Sequence, residues 1–232
     1  EQDEYSGLRG RHDLHYAPPS LGAHSVDEVR GMMNRSRFHG EIYGVGTTSG
    51  VRIVVGHWTR SPLGEFTDVM VQFANGRRLL IAPNEDVRDF VTATYTFDST
   101  ELVPVTFAAQ SDNLGRSAGS TPAGWRSVQA GDLVVRIRVA GPTVLGRALS
   151  LVPDAVSTAP WFCAISDPIA RVILRGVRTR GSAGGGRREY YGARHQHRVT
   201  DVSASWQGED LGSLTPVTPP VTFGFGSTPA AP

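Results

Sequence analysis

Apolar and polar residues alternate along much of the chain, which is the period of a β-strand whose two faces have different surroundings. The alternation is clearest over 51–58 and 133–139. In the first stretch His57 shares a face with valine and isoleucine, and in the second Arg136 points away from the apolar face. Further strands are predicted over 69–73, near 102–109, and over 187–191 and 195–206.

Turn and helix signals separate these strands. The pair Asn75-Gly76 predicts a two-residue hairpin turn with positive φ at both positions. Glu209 and Asp210 are expected in a second, Gly-flanked turn. Three short helices are predicted: one after the N-cap Ser25, one over 85–93 after Asn84, and one over 167–176 that opens with Asp-Pro.

Together these elements predict a mainly β fold. The 27 Gly and 15 Pro are spread along 232 residues, which favours short strands joined by frequent turns. We predict a single domain over 1–232, an antiparallel barrel or barrel-like sheet with two or three short peripheral helices. An N-terminal arm (1–24), a mobile loop (110–124) and a Pro-rich extended tail (216–232) complete it.

The composition excludes several chemistries. All 23 basic residues are arginine, a drift that high-GC coding produces without functional pressure. A chain without lysine forms no lysine Schiff base, anchors no pyridoxal phosphate and has no phosphate-loop lysine. Cys163 is the single cysteine, so an internal disulfide and a multi-cysteine zinc site are also excluded. We predict no cofactor.

The compartment is predicted from what the sequence lacks. No apolar run approaches the roughly 20 residues that span a bilayer. The acidic, polar start does not have the form of a signal peptide, and the missing initiator Met means that a segment could have been removed. We therefore expect a soluble, cytoplasmic protein without a transmembrane segment.

Positive charge is concentrated in residues 171–198, which contain eight arginines and one acid. Arginine binds oxyanions in a bidentate manner, so this segment could attract phosphate or carboxylate. The alternative is a solvated face paired with acids elsewhere in the fold. The nearly neutral whole chain makes nucleic acid an unlikely partner. The candidate residues for binding a ligand or anion are Arg136, Arg187, Arg188, Arg194 and Tyr191.

His195 and His197 share one face of a predicted strand, which is a possible start for a metal site. With Asp201 the stretch resembles the H-x-H-x3-E pattern of cupins, although Asp replaces Glu. Six residues of straight strand separate His195 from Asp201 by roughly 20 Å, too far for one metal. We therefore predict two partly exposed strand histidines and no metal.

His57 is the candidate catalytic residue. Its place on an apolar face is typical of a half-buried histidine with a hydrogen-bond partner. If it lines a cavity, burial would lower its pKa and make it a candidate base.

Four stretches resemble an uncharacterised family of small proteins from high-GC bacteria, for which no activity is known. They are SPLGEFTDVMV (61–71), APWFC (159–163), RTRGSAGGGRREYYG (178–192) and a C-terminal FGFGSTP. The first stretch is also similar to an S-P-x-G-x-Y-x-E segment of the acetoacetate decarboxylase fold, with Phe66 in place of Tyr and Asp68 in place of Glu. That resemblance implies a β-cone barrel, but the Schiff-base mechanism of that family needs a lysine.

Three functions stay open at this stage. The first is binding of a small anionic or amphipathic ligand in a barrel cavity with arginines at its mouth. The second is a lysine-independent enzyme of the lyase or hydrolase type, holding a small carboxylate with Arg136 or Arg194 and using His57 or an acid as base. The third is a structural or partner-binding subunit wrapped by its arm and tail. Whether the protein is an enzyme, and its oligomeric state, are left open.

Overall fold

A computed structural model describes residues 5–15, 35–112, 123–149, 180–182 and 188–224. They contain thirteen strands and two helical segments. The strands are β1 Tyr5–His15, β2 Arg35–Thr47, β3 Arg52–Arg60, β4 Phe66–Gln72, β5 Arg78–Ala82, β6 Ser99–Leu102, β7 Val105–Ser111, β8 Gly124–Ala130, β9 Leu133–Pro142, β10 Arg180–Ser182, β11 Arg188–Trp206, β12 Glu209–Asp210 and β13 Leu214–Thr215. The helices are α1 Glu85–Thr92 and α2 Val144–Leu149.

The strands form one sheet in the order β6-β5-β4-β3-β2-β1-β11-β9-β8-β7, and β10, β12 and β13 pair at its side. Among the described strands, every ladder is antiparallel except that of β5 with β6. The prediction of a mainly β, antiparallel fold is therefore confirmed. No ladder joins β6 to β7 within the described residues, so a closed barrel is not formed. These two end strands are nevertheless consecutive, separated only by Val103 and Pro104.

One apolar core lies between the two halves of this sheet. Alternate residues of β2–β5 face alternate residues of β8, β9 and β11, and we call this side of the sheet the inner face. Successive strand side chains point to opposite sides, so a period of two places the whole set on one face. Its fully buried members include Val45, Ile53, Val55, Val69, Val71, Leu79, Ile81, Leu133, Val135 and Ile137.

A second core covers the opposite, outer face of β2–β5. Helix α1 packs Val87 and Val91 against it. Asn84 caps this helix by accepting a hydrogen bond from the Val87 N–H at 2.9 Å, which confirms the helix predicted over 85–93. The same core contains Phe223 from the C-terminal tail, 1% exposed. Strands β2–β5 are therefore buried on both faces.

Polar side chains hold the tail on the outer face. The Arg52 guanidinium donates to the Pro219 carbonyl at 2.7 Å. The Gln72 side chain accepts from the Thr222 N–H at 2.8 Å and donates to the Thr222 hydroxyl at 2.9 Å. The described part of the predicted tail, 216–224, thus packs on its own sheet.

The N-terminal prediction differs from the structure. Residues 5–15, expected within an arm, form β1 at the centre of the sheet, with ladders to β2 and β11 on either side. Ladders on both sides place a strand by its backbone hydrogen bonds, so β1 needs no apolar alternation to be specified. The polar, Gly-containing sequence of β1 concealed it for this reason.

Two of the turns also differ from the prediction. Gly76 has φ of +89°, but Asn75 does not have positive φ, and Gly76 donates to the Phe73 carbonyl at 2.9 Å. The Asn75-Gly76 hairpin is therefore a three-residue loop with glycine in the left-handed position, and the predicted two-residue turn is wrong. A two-residue turn with two positive φ values occurs at Gln207-Gly208 instead. Glu209 and Asp210 follow it in β12 rather than forming the turn.

Other predicted elements fall partly or wholly outside the described residues. These include the helices after Ser25 and over 167–176, residues 113–122 of the loop, and 225–232 of the tail. Helix α2 was not predicted; Thr143 caps it by accepting from the Gly146 N–H at 2.9 Å. In the part of the chain that is described, no helix is long and apolar enough to cross a membrane.

We expect Phe223→Ala to destabilise the protein by about 3–5 kcal/mol, because it leaves a cavity beneath the tail in the outer core. Equilibrium urea unfolding measures this loss, and Thr218→Ala, at an exposed tail position, is the control. If both variants unfold at the same urea concentration as the wild type, the tail is not part of the folded core.

Candidate functional site

A group of polar side chains interrupts the apolar inner face. Glu41 and Tyr43 of β2, His57 of β3 and Arg126 of β8 stand at positions of the same parity as the core valines and isoleucines of their strands. The period of two therefore directs all four toward the space between the sheet halves. We call these four residues the inner polar cluster.

Arg126 is the most enclosed of them, with 2% of its surface exposed. Its Nε donates to the Tyr43 hydroxyl at 3.2 Å and lies 4.0 Å from the Glu41 carboxylate. The Tyr43 hydroxyl in turn donates to Glu41 Oε2. Arg126 Nη1 also donates to the Trp125 carbonyl at 3.2 Å. The three side chains form one continuous charge-assisted network inside the fold.

The electrostatics of the network keep the tyrosine protonated. Burial raises the pKa of Tyr43 far above its usual range, and the Glu41 charge raises it further against the smaller opposing effect of Arg126. The hydroxyl therefore remains a donor at any physiological pH. A buried charge is costly unless it is paired and hydrogen-bonded, and Arg126 and Glu41 fulfil this requirement for each other through Tyr43.

His57 lies directly opposite Glu41 in the β2–β3 ladder. Its imidazole stacks on the Phe107 ring with centroids 3.8 Å apart, and its Nδ1 is 2.9 Å from the Thr67 hydroxyl oxygen. The ring is half-buried. His57 is thus a partnered histidine, as its apolar face indicated, and it is also the neighbour of a buried carboxylate.

The strand register extends this cluster across β1 to β11. Gly7 stands between Tyr43 and His197, and Arg9 stands between Glu41 and His195. Since neighbouring strands are about 4.8 Å apart, each of these histidines lies about 10 Å from its β2 counterpart. Gly7 adds no side chain between Tyr43 and His197.

The two histidines of β11 share a face, as predicted. Their ring centroids are 6.4 Å apart, and His197 Nδ1 is 3.1 Å from the Ala140 carbonyl oxygen. His197 is buried rather than partly exposed. Among the described side chains, no three His, Cys, Asp or Glu residues are arranged to hold a metal ion.

None of the arginines predicted from the sequence to bind a ligand is a member of the inner polar cluster. Arg136 is exposed on the outer side of β9, with its guanidinium carbon 5.0 Å from the centroid of the Trp125 ring. Arg188, Tyr191 and Arg194 belong to β11, where the structure describes the strand backbone, and Arg187 falls outside the described residues. Their role in binding stays a prediction.

Arg126 was not predicted as a site residue, although the alternation of residues in β8 indicates that it is buried. It alternates with Val128 and Ala130 in β8, so it occupies a core position of an amphipathic strand. An arginine at such a position is rarely buried unless it is paired. Its partners could not be identified from the sequence because Arg126 and Tyr43 are 83 residues apart.

A separate buried acid lies on the outer face. Asp68 is 2% exposed and accepts a hydrogen bond from Trp58 Nε1 at 3.1 Å. Gly56 makes this contact possible, since a Cβ there would stand 2.6 Å from Asp68 Oδ1 and 2.8 Å from Trp58 Nε1. Burial raises the pKa of Asp68 to about 7, partly offset by the Trp58 hydrogen bond. Asp68 faces away from the inner polar cluster.

We expect Arg126→Met to destabilise the protein by about 3–5 kcal/mol, because it removes one partner of the buried network that joins Arg126 to the Glu41 carboxylate. Adding Glu41→Gln should recover a substantial part of that loss. Urea unfolding of the two single variants and the double variant measures the coupling. Arg136→Met, on the exposed side of β9, should change stability by no more than about 0.5 kcal/mol. Additive losses in the double variant would show that the two charges do not interact.

We expect Asp68 to make stability depend on pH. Its folded pKa of about 7 lies above the usual aspartate pKa of 3.8, so its stabilising contribution is complete below about pH 4 and is lost as pH rises through 7. Between pH 4 and 8, wild type should lose up to about 4 kcal/mol relative to Asp68→Asn, as measured by unfolding at each pH. Asp98→Asn is the control: the Arg78 guanidinium holds the pKa of that carboxyl at about 2, so its effect should change only below pH 4. A constant difference between wild type and Asp68→Asn would contradict the assignment.

No protein-family model, curated protein or solved structure matches this chain. The resemblances to a high-GC bacterial family and to the acetoacetate decarboxylase fold therefore stay predictions.

Proposed function

We propose that the protein binds a small amphipathic molecule with a carboxylate or similar anionic group at the inner polar cluster. The observation that carries this proposal is Arg126, a guanidinium enclosed in a face whose core consists mainly of valine, leucine and isoleucine. Replacing a buried ion pair by apolar residues of similar volume is often neutral or stabilising, so stability alone gives little reason for a charge at this position.

The surroundings of Arg126 suit both parts of such a ligand. Arginine presents a planar fork of donors that matches a carboxylate, and Tyr43 adds a hydroxyl that stays protonated. The Phe107 ring stacks on His57 and lies 6.2 Å from Tyr43, which provides aromatic surface for an apolar group. In the absence of a ligand, Glu41 occupies the anionic position next to Arg126. An incoming carboxylate would compete with Glu41 for the guanidinium.

A second function, catalysis on a small carboxylate, is favoured by one specific observation. His57 stands opposite Glu41, and a carboxylate beside an imidazole supports its action as a base. In this hypothesis Arg126, rather than Arg136 or Arg194, holds the substrate, and His57 removes a proton from it. The lysine-free sequence is compatible with this proton transfer, which requires no Schiff base.

The third hypothesis, a subunit wrapped around a partner by its two ends, has less support. Residues 5–15 are paired on both sides within the sheet, and residues 216–224 pack on the outer face of the same chain. Both segments therefore form their contacts with the same chain. Cytoplasmic location and the exclusion of nucleic acid as a partner stay predictions from composition.

We expect aromatic and short aliphatic carboxylates, with benzoate as the first probe, to raise the melting temperature of the wild-type protein. The uncharged counterpart benzamide should raise it less, because the guanidinium recognises the charge. Differential scanning fluorimetry followed by calorimetric titration measures both effects. Tyr43→Phe keeps the arginine and should weaken benzoate binding, whereas Arg136→Met should bind like wild type.

Two results would contradict the binding proposal: no carboxylate in the panel stabilises the protein, or Arg126→Met binds benzoate as tightly as wild type does.

The catalytic hypothesis has its own readout. In heavy water, wild type should exchange the α-proton of a bound aliphatic carboxylate, detected by proton NMR, and His57→Asn should bind without exchange. Equal exchange by both proteins would exclude His57 as the base.

A further inference from the structure

Strand β7, Val105–Ser111, is an end strand of the sheet. It pairs with β8 on one side and, within the described residues, with no strand on the other. An unpaired strand edge is a template for adding another strand, and proteins normally protect such edges with charges, proline, bulges or very short strands. The sequence of β7, VTFAAQS, has neither charge nor proline over its seven residues.

The ladder shows which backbone groups point outward. The Asp112 N–H donates to the Ala123 carbonyl at 2.8 Å, continuing the register in which Ser111 lies opposite Gly124. Hydrogen-bonded and non-hydrogen-bonded pairs alternate along an antiparallel ladder. The even-numbered positions of β7, like Asp112, therefore form hydrogen bonds with β8. The N–H and C=O groups of the odd-numbered positions point away from β8: Val105, Phe107, Ala109 and Ser111.

The outward groups are accessible. Five of the seven residues of β7 are exposed, including Ala108 and Ala109 in its middle. In the described part of the chain, no hydrogen bond is made to the backbone of the four odd-numbered residues from outside the β7–β8 ladder. The other end strand, β6, differs: it has four residues, one of them Glu101, and it pairs in parallel with β5.

We propose that β7 is a dimer interface, where a second copy of this chain adds its own β7 antiparallel to the first. A two-fold axis through Ala108 places Phe107 opposite Ala109 of the second copy and Val105 opposite Ser111. All four outward residues then fall in hydrogen-bonded pairs, which form about eight hydrogen bonds between the two copies. A symmetric dimer has this self-complementary form.

The side chains fit the same register. Ala108 meets its own copy at a non-hydrogen-bonded pair, where opposing side chains come closest, and alanine is small enough for that approach. Thr106 lies opposite Gln110 of the second copy, so the paired outer positions are uncharged. Asp112, the first acid beyond the strand, lies opposite the uncharged Pro104 of the second copy in this register, and it is bound to Arg138 of its own chain at 2.8 Å.

The test uses two substitutions that act on the open edge. Ala109→Pro removes an outward N–H and leaves the β8 ladder intact, since proline is tolerated on an edge strand where the N–H faces solvent. Ala108→Lys places two like charges at the two-fold axis without removing a backbone group. Ala108→Ser is the matched control, because it keeps the position small and uncharged. Circular dichroism confirms that each variant is folded.

Sedimentation velocity of the full chain over a range of micromolar concentrations should show a dimer for wild type and Ala108→Ser, and a monomer for Ala108→Lys and Ala109→Pro. Hydrogen exchange by NMR provides a second readout: the amides of Phe107, Ala109 and Ser111 should be protected in wild type and exposed in Ala108→Lys. The amides of Thr106, Ala108 and Gln110 should be protected in both. A wild type that is monomeric throughout, or a dimer that survives both edge substitutions, would overturn the proposal.

Discussion

The burial of strands β2–β5 on both faces is the constraint on which the rest of the structure depends. One face meets β8, β9 and β11, and the other is covered by α1 and the C-terminal tail. Water is therefore excluded from most of the side chains of these four strands. A polar residue on them must find its partner within the protein or impose a large energetic penalty.

Three buried side chains of these strands are consistent with that requirement. Glu41 bonds to Tyr43 beside Arg126, Asp68 to Trp58, and Gln72 to the tail. The outer-face contacts of Gln72 bind the tail to the sheet, and burial on that face raises the pKa of Asp68. The inner-face contacts have a different result, because they concentrate a cation, an acid, a phenol and an imidazole in one place. This concentration makes the inner polar cluster the best-supported site in the described structure.

Much of the fold follows from the sequence, because the signals involved are local. Alternation predicted β3, β4 and β9, and Asn84 with an apolar stripe predicted α1. The central position of β1 could not be predicted, since its place depends on two ladders to distant segments rather than on its own pattern. The Asn75-Gly76 turn shows a similar limit: the residues mark a hairpin, but the twist and length of the flanking strands select the turn type.

The site was predictable only in part. His57 was selected because it shares a face with apolar residues, and the structure places it on the inner face beside Glu41. Arg136 was selected for its charge, but strand parity puts it on the exposed side of β9. Arg126 has the parity of the core, yet its partners come from a strand about eighty residues earlier, and the pairing of those strands is a property of the whole sheet.

The most direct test of this account is the NMR signal of the Arg126 Nε–H group, compared with that of Arg136 in the same sample. The account predicts that the Arg126 proton exchanges slowly with water, shows cross-peaks to the Tyr43 ring, and shifts when benzoate is added. The Arg136 proton should exchange rapidly and not respond. If both protons exchange equally fast and neither shifts, the inner polar cluster is open to water, and the claim of an enclosed anion site is wrong.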